Sequence, residues 1–300
     1  MSLSVLLTLF VVVNILLKIL QKFCSNTVTC GGRAKYTLYF LTTSVVACGV
    51  FYAFSGFNLS VNLTTAVYGF LYAIIVFFSL ISSLLVYNYG TVSTINIIAN
   101  AGIMIVGPIF GKLLFGDAFD WRRLLRIGLM LGAVLLVFLD SRDKEEANED
   151  KKKNSKGALA LLTGIYVLAT TLNTLLCKHY TLSPTATDEN SMFFMTNVFL
   201  TLGAVAVLAC DFIKGNATPK ETVQILNFKN LGIWLGNVFC STLCTILGIW
   251  ILELMDVTVY TPVSSAVIIV AALITSVILR EKAGIFSYLA AAVACVAMVI

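Results

Sequence analysis

The sequence predicts an all-α integral membrane protein, with ten transmembrane helices arranged as two inverted five-helix repeats. Three observations carry this expectation. Hydrophobic residues make up 59% of the 300 and charged residues 12%, where a soluble domain runs near 25% charged. With a mean hydropathy of +0.95, so few charges cannot coat a water-soluble globule. Apolar runs close to the roughly 20 residues of a spanning helix recur ten times, near 2–20, 36–55, 64–86, 91–115, 123–140, 157–177, 191–213, 230–253, 257–279 and 285–300. One long charged connector, 141–156, divides them five and five. The predicted organisation is a first repeat over 1–140, a charged linker over 141–156 and a second repeat over 157–300. Barrel strands are excluded, because the runs are twice strand length and lack two-residue alternation.

The first run, MSLSVLLTLFVVVNILLKIL, has neither the basic start nor the A-x-A-like cleavage site of a signal peptide, and reads as a retained helix. Asn14 and Lys18 lie toward its end. A charge at the bilayer centre costs about 2.5–3.5 kcal/mol on the insertion scale, whereas a lysine near a helix end extends its stem to the interface. Anchoring and contact with an anion are therefore both readings of Lys18, and likewise of Lys178 at the end of the sixth run. Cys24 and Cys30 share the next connector and would be the disulfide pair on an oxidising side. The other six cysteines lie inside apolar runs, where cysteine behaves as a small hydrophobe.

In the third run Tyr68 and Tyr72 share a face, either as core packing or as an aromatic shelf for a solute. The fourth run carries Asn96 and Asn100, four apart and on one face. Such amides either bond neighbouring helices, worth about 0.6–2 kcal/mol each, or line a polar cavity. Gly107-xxx-Gly111 and Gly128-xxx-Gly132 read as faces that let helices approach closely. Pro108 and Pro262 read as backbone interruptions that kink their helices. The linker SRDKEEANEDKKKNSK reads as a solvated, flexible segment. Asn173 precedes Lys178 in the sixth run, Asn197 and Asn237 sit in the seventh and eighth, and Tyr260, Ser264 and Ser265 in the ninth. The tenth run reaches Ile300 without a polar tail, which leaves open a truncated chain or a helix that stops at the interface. The sequons at Asn58, Asn62 and Asn216 are too common in loops to carry weight.

The halves resemble each other. Setting 92–115 above 257–280 pairs Val92 with Val257, Asn96 with Thr261, Asn100 with Ser265, Ala101 with Ala266 and Ile109 with Ile274. VNILLK (13–18) pairs with LNTLLCK (172–178). Five helices is an odd number, so tandem halves lie in opposite orientations, as in transporters with a midplane site between inverted repeats.

Two such halves, each with a short charged turn between its fourth and fifth helix (Phe115-Gly116-Asp117 and Leu279-Arg280-Glu281-Lys282), resemble the drug/metabolite transporter superfamily in its ten-helix EamA-like branch. The resemblance covers nearly the whole chain. It implies alternating-access transport of a small organic solute, without an ATPase domain. The Asn14…Lys18 and Asn173…Lys178 pairs look similar to elements of the related sugar-phosphate and nucleotide-sugar carriers. An exchanger of that type, using Lys18 and Lys178, is the first alternative; a membrane receptor or scaffold without flux is the second.

Other classes find little in the sequence. With one histidine and no CxxC, a metal centre is not expected. No GxxxxGK[ST] loop, HExxH or GxSG-like motif is present, so neither an enzyme nor a cofactor is expected. The net charge of +5 sits largely in short basic connectors, which argues topology rather than nucleic acid. Away from connectors the carboxylates are Asp140, Asp211, Glu253 and Asp256, all at run ends. That disfavours a proton relay or a cationic cargo and favours a neutral, zwitterionic or anionic solute. Connectors after odd-numbered runs hold 14 Lys and Arg against about four after even-numbered ones. The positive-inside rule then puts both termini outside, and the family resemblance implies the opposite. The expected setting is the cell membrane, multi-pass, with a small-molecule solute and the bilayer as partners and a homodimer left open.

Overall fold

The structure is a computed structural model that describes residues 3–29, 32–86, 95–96, 98–100, 102, 106, 109–110, 112–113, 121–143, 153–214, 228–254, 257–280 and 284–299. Among these residues there is no strand. The helices are α1 (Leu3–Thr29), α2 (Gly32–Phe54), α3 (Leu63–Val86), α4 (Trp121–Asp143), α5 (Lys153–Thr181), α6 (Glu189–Ile213), α7 (Phe228–Glu253), α8 (Val257–Ile278) and α9 (Ile285–Val299). Ile95, Asn96 and Ile98–Asn100 of the fourth run are also helical.

Among the described residues, six helices are long and apolar enough to cross a membrane. Their spans are Leu3–Ser25 in α1, Lys35–Phe54 in α2, Leu63–Val86 in α3, Ala160–Thr181 in α5, Glu189–Ile213 in α6 and Asn230–Gly248 in α7. Shorter apolar stretches, Val267–Ile278 and Tyr288–Ala297, lie in α8 and α9. Helix is the expected form for such segments, because hydrocarbon leaves no water to satisfy backbone N–H and C=O groups. The side-chain pattern agrees. On α1, Val5, Leu9, Val12 and Leu16 are exposed, while Leu6, Phe10, Val13 and Leu17 are buried. Both faces are apolar, so the outward one suits lipid.

Several element ends differ from the sequence expectation. α1 continues nine residues past position 20 because Cys24 and Ser25 find tertiary partners: Ser25 Oγ donates to Leu84 O (2.6 Å) and Cys24 Sγ to Ile233 O (3.8 Å). Cys24 is buried; Cys30, its expected disulfide partner, lies outside the described residues, and that pairing with it. The linker 141–156 is shorter than expected, since α4 runs to Asp143 and α5 starts at Lys153.

Packing follows a simple set of pairs. α2 lies against α6, α1 against α7, α3 against α5, and α4 against α9; α3 also meets α6, α2 meets α7, α1 meets α8, and α8 meets α9. Leu6, Phe10, Val13 and Leu17 of α1 form one core with Cys240, Leu247 and Ile251 of α7 and Val267 of α8. Met130 and Ala133 of α4 form another with Ile269 of α8 and Ala290, Ala291 and Ala297 of α9. The fourth run joins this centre through Ile98, packed on that second core, and Ile95, packed with Ala272 of α8.

The glycines mark where helices approach closely. A Cβ on Gly69 would lie 2.9 Å from Met195 Cβ and 3.2 Å from Thr196 N, and one on Gly102 would lie 2.7 Å from Val167 Cγ1. Gly128 and Gly132, expected to be a packing face, have nothing within 4 Å of such a Cβ. Among the described residues, the spacing there serves no close contact. Gly107, Pro108 and Gly111 lie outside the described residues, as do the turns at 115–117 and 281–282.

Candidate functional site

α1 sets the first site residues by its periodicity. Positions 6, 10, 13, 14, 17 and 18 fall on its inward face, so Asn14 and Lys18 share the strip that packs on α7 and α8. Asn14 is 4% exposed and its Nδ2 donates back to Phe10 O (2.8 Å). Lys18 is 5% exposed and its Nζ donates to Gln21 Oε1 at 3.3 Å. The ammonium is also near enough to Cys244 of α7 to act on it electrostatically. Because α1 runs on to Thr29, Lys18 stands eleven residues before the helix end. Its placement toward a helix end, which the sequence suggested, is corrected, and with it the anchoring geometry.

Asn96 and Asn100 are 1% and 5% exposed. Asn100 Nδ2 donates to Asn96 O (2.8 Å), within its own helix. Asn197 in α6 does the same, Nδ2 to Phe193 O at 2.8 Å. Each of these three amides, Asn14, Asn100 and Asn197, spends a donor on its own helix four residues back rather than on a neighbouring helix. Asn237 of α7 differs: its Nδ2 bridges to Tyr39 Oη in α2 (2.8 Å), with Trp234 edge-on to the Tyr39 ring. The buried Oδ1 atoms of Asn237 and Asn173 have no hydrogen-bond partner. An unsatisfied buried acceptor carries a penalty of about 1–3 kcal/mol. A polar group from a solute or a water would relieve it.

The second half is arranged differently at its mouth. Lys178 is half-buried in the last turn of α5, beside His179, where a cation complements the helix dipole. Tyr72 of α3 is hydrogen-bonded with Cys177 and packs edge-on against Phe193. The carboxylate of Glu189 is close enough to act electrostatically on both Tyr72 and Cys177. Glu189 opens α6 from a polar connector, so nothing in the sequence marked it as inward-facing. Tyr260, Ser264 and Ser265 lie on α8, with side chains outside the described residues.

Around this mouth the α2–α3 and α5–α6 loops are clasped together. Asn62 Nδ2 donates to Thr185 O (2.7 Å), and Ser60 N donates to Ser191 Oγ (3.1 Å). Thr65 Oγ1 lies 3.1 Å from Tyr180 Oη and 2.7 Å from Thr187 Oγ1. Asn62 Oδ1 meanwhile accepts from Thr65 N (2.8 Å), capping α3. Tyr68, read with Tyr72 either as core packing or as an aromatic shelf, packs with it on the core that holds Ala47, Phe51, Tyr180 and Met192; it also stacks on His179 and is hydrogen-bonded with its Nδ1. The only forerunner of this clasp in the sequence is its run of Ser, Thr, Asn and Asp around two turns.

The described residues thus place a buried cation and several buried amides among apolar spans, with a carboxylate at one mouth. Such an arrangement suits a polar solute that must leave water for the interior of a bundle. Neither the protein-family models nor the curated proteins compared with this chain match it.

Proposed function

We propose that the chain is a secondary transporter, built as two inverted five-helix halves of the drug/metabolite transporter type. It carries a small polar organic solute across the plasma membrane by alternating access. The observation that carries the reading is the exchange symmetry of the packing. With the 95–113 segment counted as the fourth run, α1 on α7 is the first run on the eighth, and α5 on α3 is the sixth on the third. Shifting every number by five turns one pair into the other. The same shift turns α3 on α6 into α2 on α7, and leaves α2 on α6 and α4 on α9 as their own counterparts. The contact of Gly102 with Val167 of α5 corresponds to that of α8 with α1. Inverted repeats of this kind hold their solute between the halves, near the midplane. This reading assigns the solute to the buried Asn14, Lys18, Asn96 and Asn100, together with Tyr72, Asn173, Asn197 and Asn237.

Lys18 favours one narrower reading, an exchanger of phosphorylated or nucleotide-linked sugars. A buried lysine with a neutral partner can hold an anionic group. Lys178, at a helix end, is less well placed to join it.

A thermal-shift screen of the purified protein against amino acids, sugar phosphates and nucleotide sugars tests this function, followed by uptake of any hit into proteoliposomes. A ligand at a hundredfold excess over Kd stabilises by about 2.7 kcal/mol. The expected result is a hit that is also taken up, with both effects lost in Asn100→Ala. Binding without flux would overturn transport and leave the receptor reading.

A further inference from the structure

Between α2, α3 and α6 the side of the bundle folds inward into a groove of about 790 Å³. Its long wall is one strip of α3 at helical spacing: Phe70, Ala73, Ile74, Phe77, Ile81 and Leu85. From 70 to 85 that strip rises about 22 Å. The other walls are Phe199 to Val207 of α6 and Tyr36 to Phe40 of α2. Phe40 lies against Phe77 with ring centroids 5.3 Å apart, and Phe70 against Phe199 at 5.4 Å. Ala73 and Ala204 are buried on the floor, while Phe70, Ile74 and Phe77 stand exposed along the rim. Gly203 keeps the groove wide, for a Cβ there would have nothing within 4 Å.

All three helices are long and apolar enough to span, so in a membrane this groove opens on hydrocarbon. A lipid chain and a helix of a second copy both suit that setting, and width decides between them. A volume of 790 Å³ over about 22 Å leaves a channel roughly 7 Å across, narrower than the 10–12 Å of a helix with its side chains. The two ends of the groove also differ. Tyr36 and Thr37 bring hydroxyls to one end, and every other lining residue is apolar. Lys35 precedes Tyr36 there, and Lys214 stands two turns beyond Val207 on the same face of α6. Both belong to the 14 Lys and Arg of the connectors after odd-numbered runs. Neither has an ion-pair partner among the described residues. Asp211, between Val207 and Lys214, is 2% exposed and outside the lining. The first turn of α2, just before Tyr36, holds no acidic residue, and the start of a helix favours an anion.

We propose that the groove binds one acyl chain of an anionic phospholipid, with its headgroup at Lys35, Tyr36 and Lys214. Lipid tails are as apolar as leucine, so leaving the bilayer for the groove gains no hydrophobic energy. Selection comes instead from the fit of a single chain in a concave, aromatic-walled channel, and from the charge that basic residues near the surface offer an anionic head. α2 and α3 precede the charged linker and α6 follows it, so an occupied groove ties the two parts of the chain together. The site does not rest on the transport reading. It needs only that α2, α3 and α6 lie in a membrane.

The test places the full chain in phosphatidylcholine nanodiscs with a phosphatidylserine probe that carries a photoreactive diazirine at the end of one acyl chain. Peptide mass spectrometry then maps the cross-links. Label should gather near Phe70, Ile74 and Phe199, well above that on the outward face of α1 at Val5, Leu9 and Val12. Unlabelled phosphatidylserine should displace the probe about 10-fold better than phosphatidylcholine. Gly203→Phe, whose side chain enters the groove from an open position, should reduce the label there to the level of α1. Lys35→Gln combined with Lys214→Gln should bring the two competitors to within about twofold of each other. Even labelling of the groove and α1, unchanged label in Gly203→Phe, or equal competition by the two lipids on the unaltered chain overturns the site. An unlabelled groove in a chain that runs as a dimer overturns it too, and gives the face to a second copy. If Gly203→Phe fails to fold, the competition on the unaltered chain and the lysine pair decide.

Discussion

Where α1 crosses α7 a lysine is buried; where α5 crosses α3, a cysteine and a tyrosine meet instead. Setting Asn14 against Asn173 puts Lys18 opposite Cys177, each four residues on, and leaves Lys178 one place further along. One residue is a turn of about 100° around a helix, enough to move the second lysine off the strip that Cys177 occupies. Lys18 is near Cys244 of α7, while Cys177 is bonded with Tyr72 of α3. The pairs share partners and shape but not charge. A path between them would run from a carboxylate at one mouth to a buried ammonium deeper in, and so treat its two directions differently.

The sharpest way to break that comparison is to exchange the lysines for neutral residues. Lys18→Met should cut uptake of an anionic or zwitterionic solute roughly 10- to 100-fold, the loss of one charge-assisted contact. It should leave the melting temperature unchanged or higher, because a buried charge is removed. Lys178→Met should cost uptake less than about threefold, as its half-buried side chain stands in the last helical turn. Equal losses in parallel uptake assays would mean that the halves are functionally alike.

Next comes the packing of α3 on α6 and of α1 on α7. Gly69→Ala should destabilise by about 1–3 kcal/mol, since its Cβ meets Met195 and backbone at Thr196 with no room to yield. Gly236→Ala, which would touch only the flexible end of Leu20 at 3.4 Å, should change stability by less than about 0.5 kcal/mol. Thermal unfolding of both variants in one detergent separates them; a tolerated Gly69→Ala would mean that α3 and α6 lie further apart than described. The smallest expected effect is at the clasp. Thr65→Val removes a buried hydroxyl shared by Asn62, Tyr180 and Thr187 and should cost about 1 kcal/mol. A neutral result would show that Tyr180 and Thr187 satisfy each other without it.

Much of the fold was legible because spanning helices announce themselves through length and apolarity, and every described helix overlaps one of the expected runs. Helix ends were less so. Gln21–Thr29 is polar enough to read as a connector, and only the contacts of Cys24 and Ser25 with distant helices keep it helical. That misplaced end hid the depth of Lys18. The asparagines stood out as amides in apolar runs, but Asn14, Asn100 and Asn197 each turn a donor back along their own helix, which spacing cannot reveal. Gly69 and Gly102 were invisible because each is a lone glycine whose role lies in a partner helix. Tyr36, Phe77 and Gly203 belong to three separate runs, and only the fold brings them to one groove.

The clasp also bears on how the chain is made. Asn62 is held by Thr185, 123 residues further along. At about 5–20 residues per second, a ribosome needs on the order of 6–25 s to supply that partner. For that interval the entrance to α3 stands finished in backbone but open at its rim, its serine and threonine hydroxyls bound to water. Assembly at this end is therefore timed by the second half, and a chain stopped at the linker would never close it.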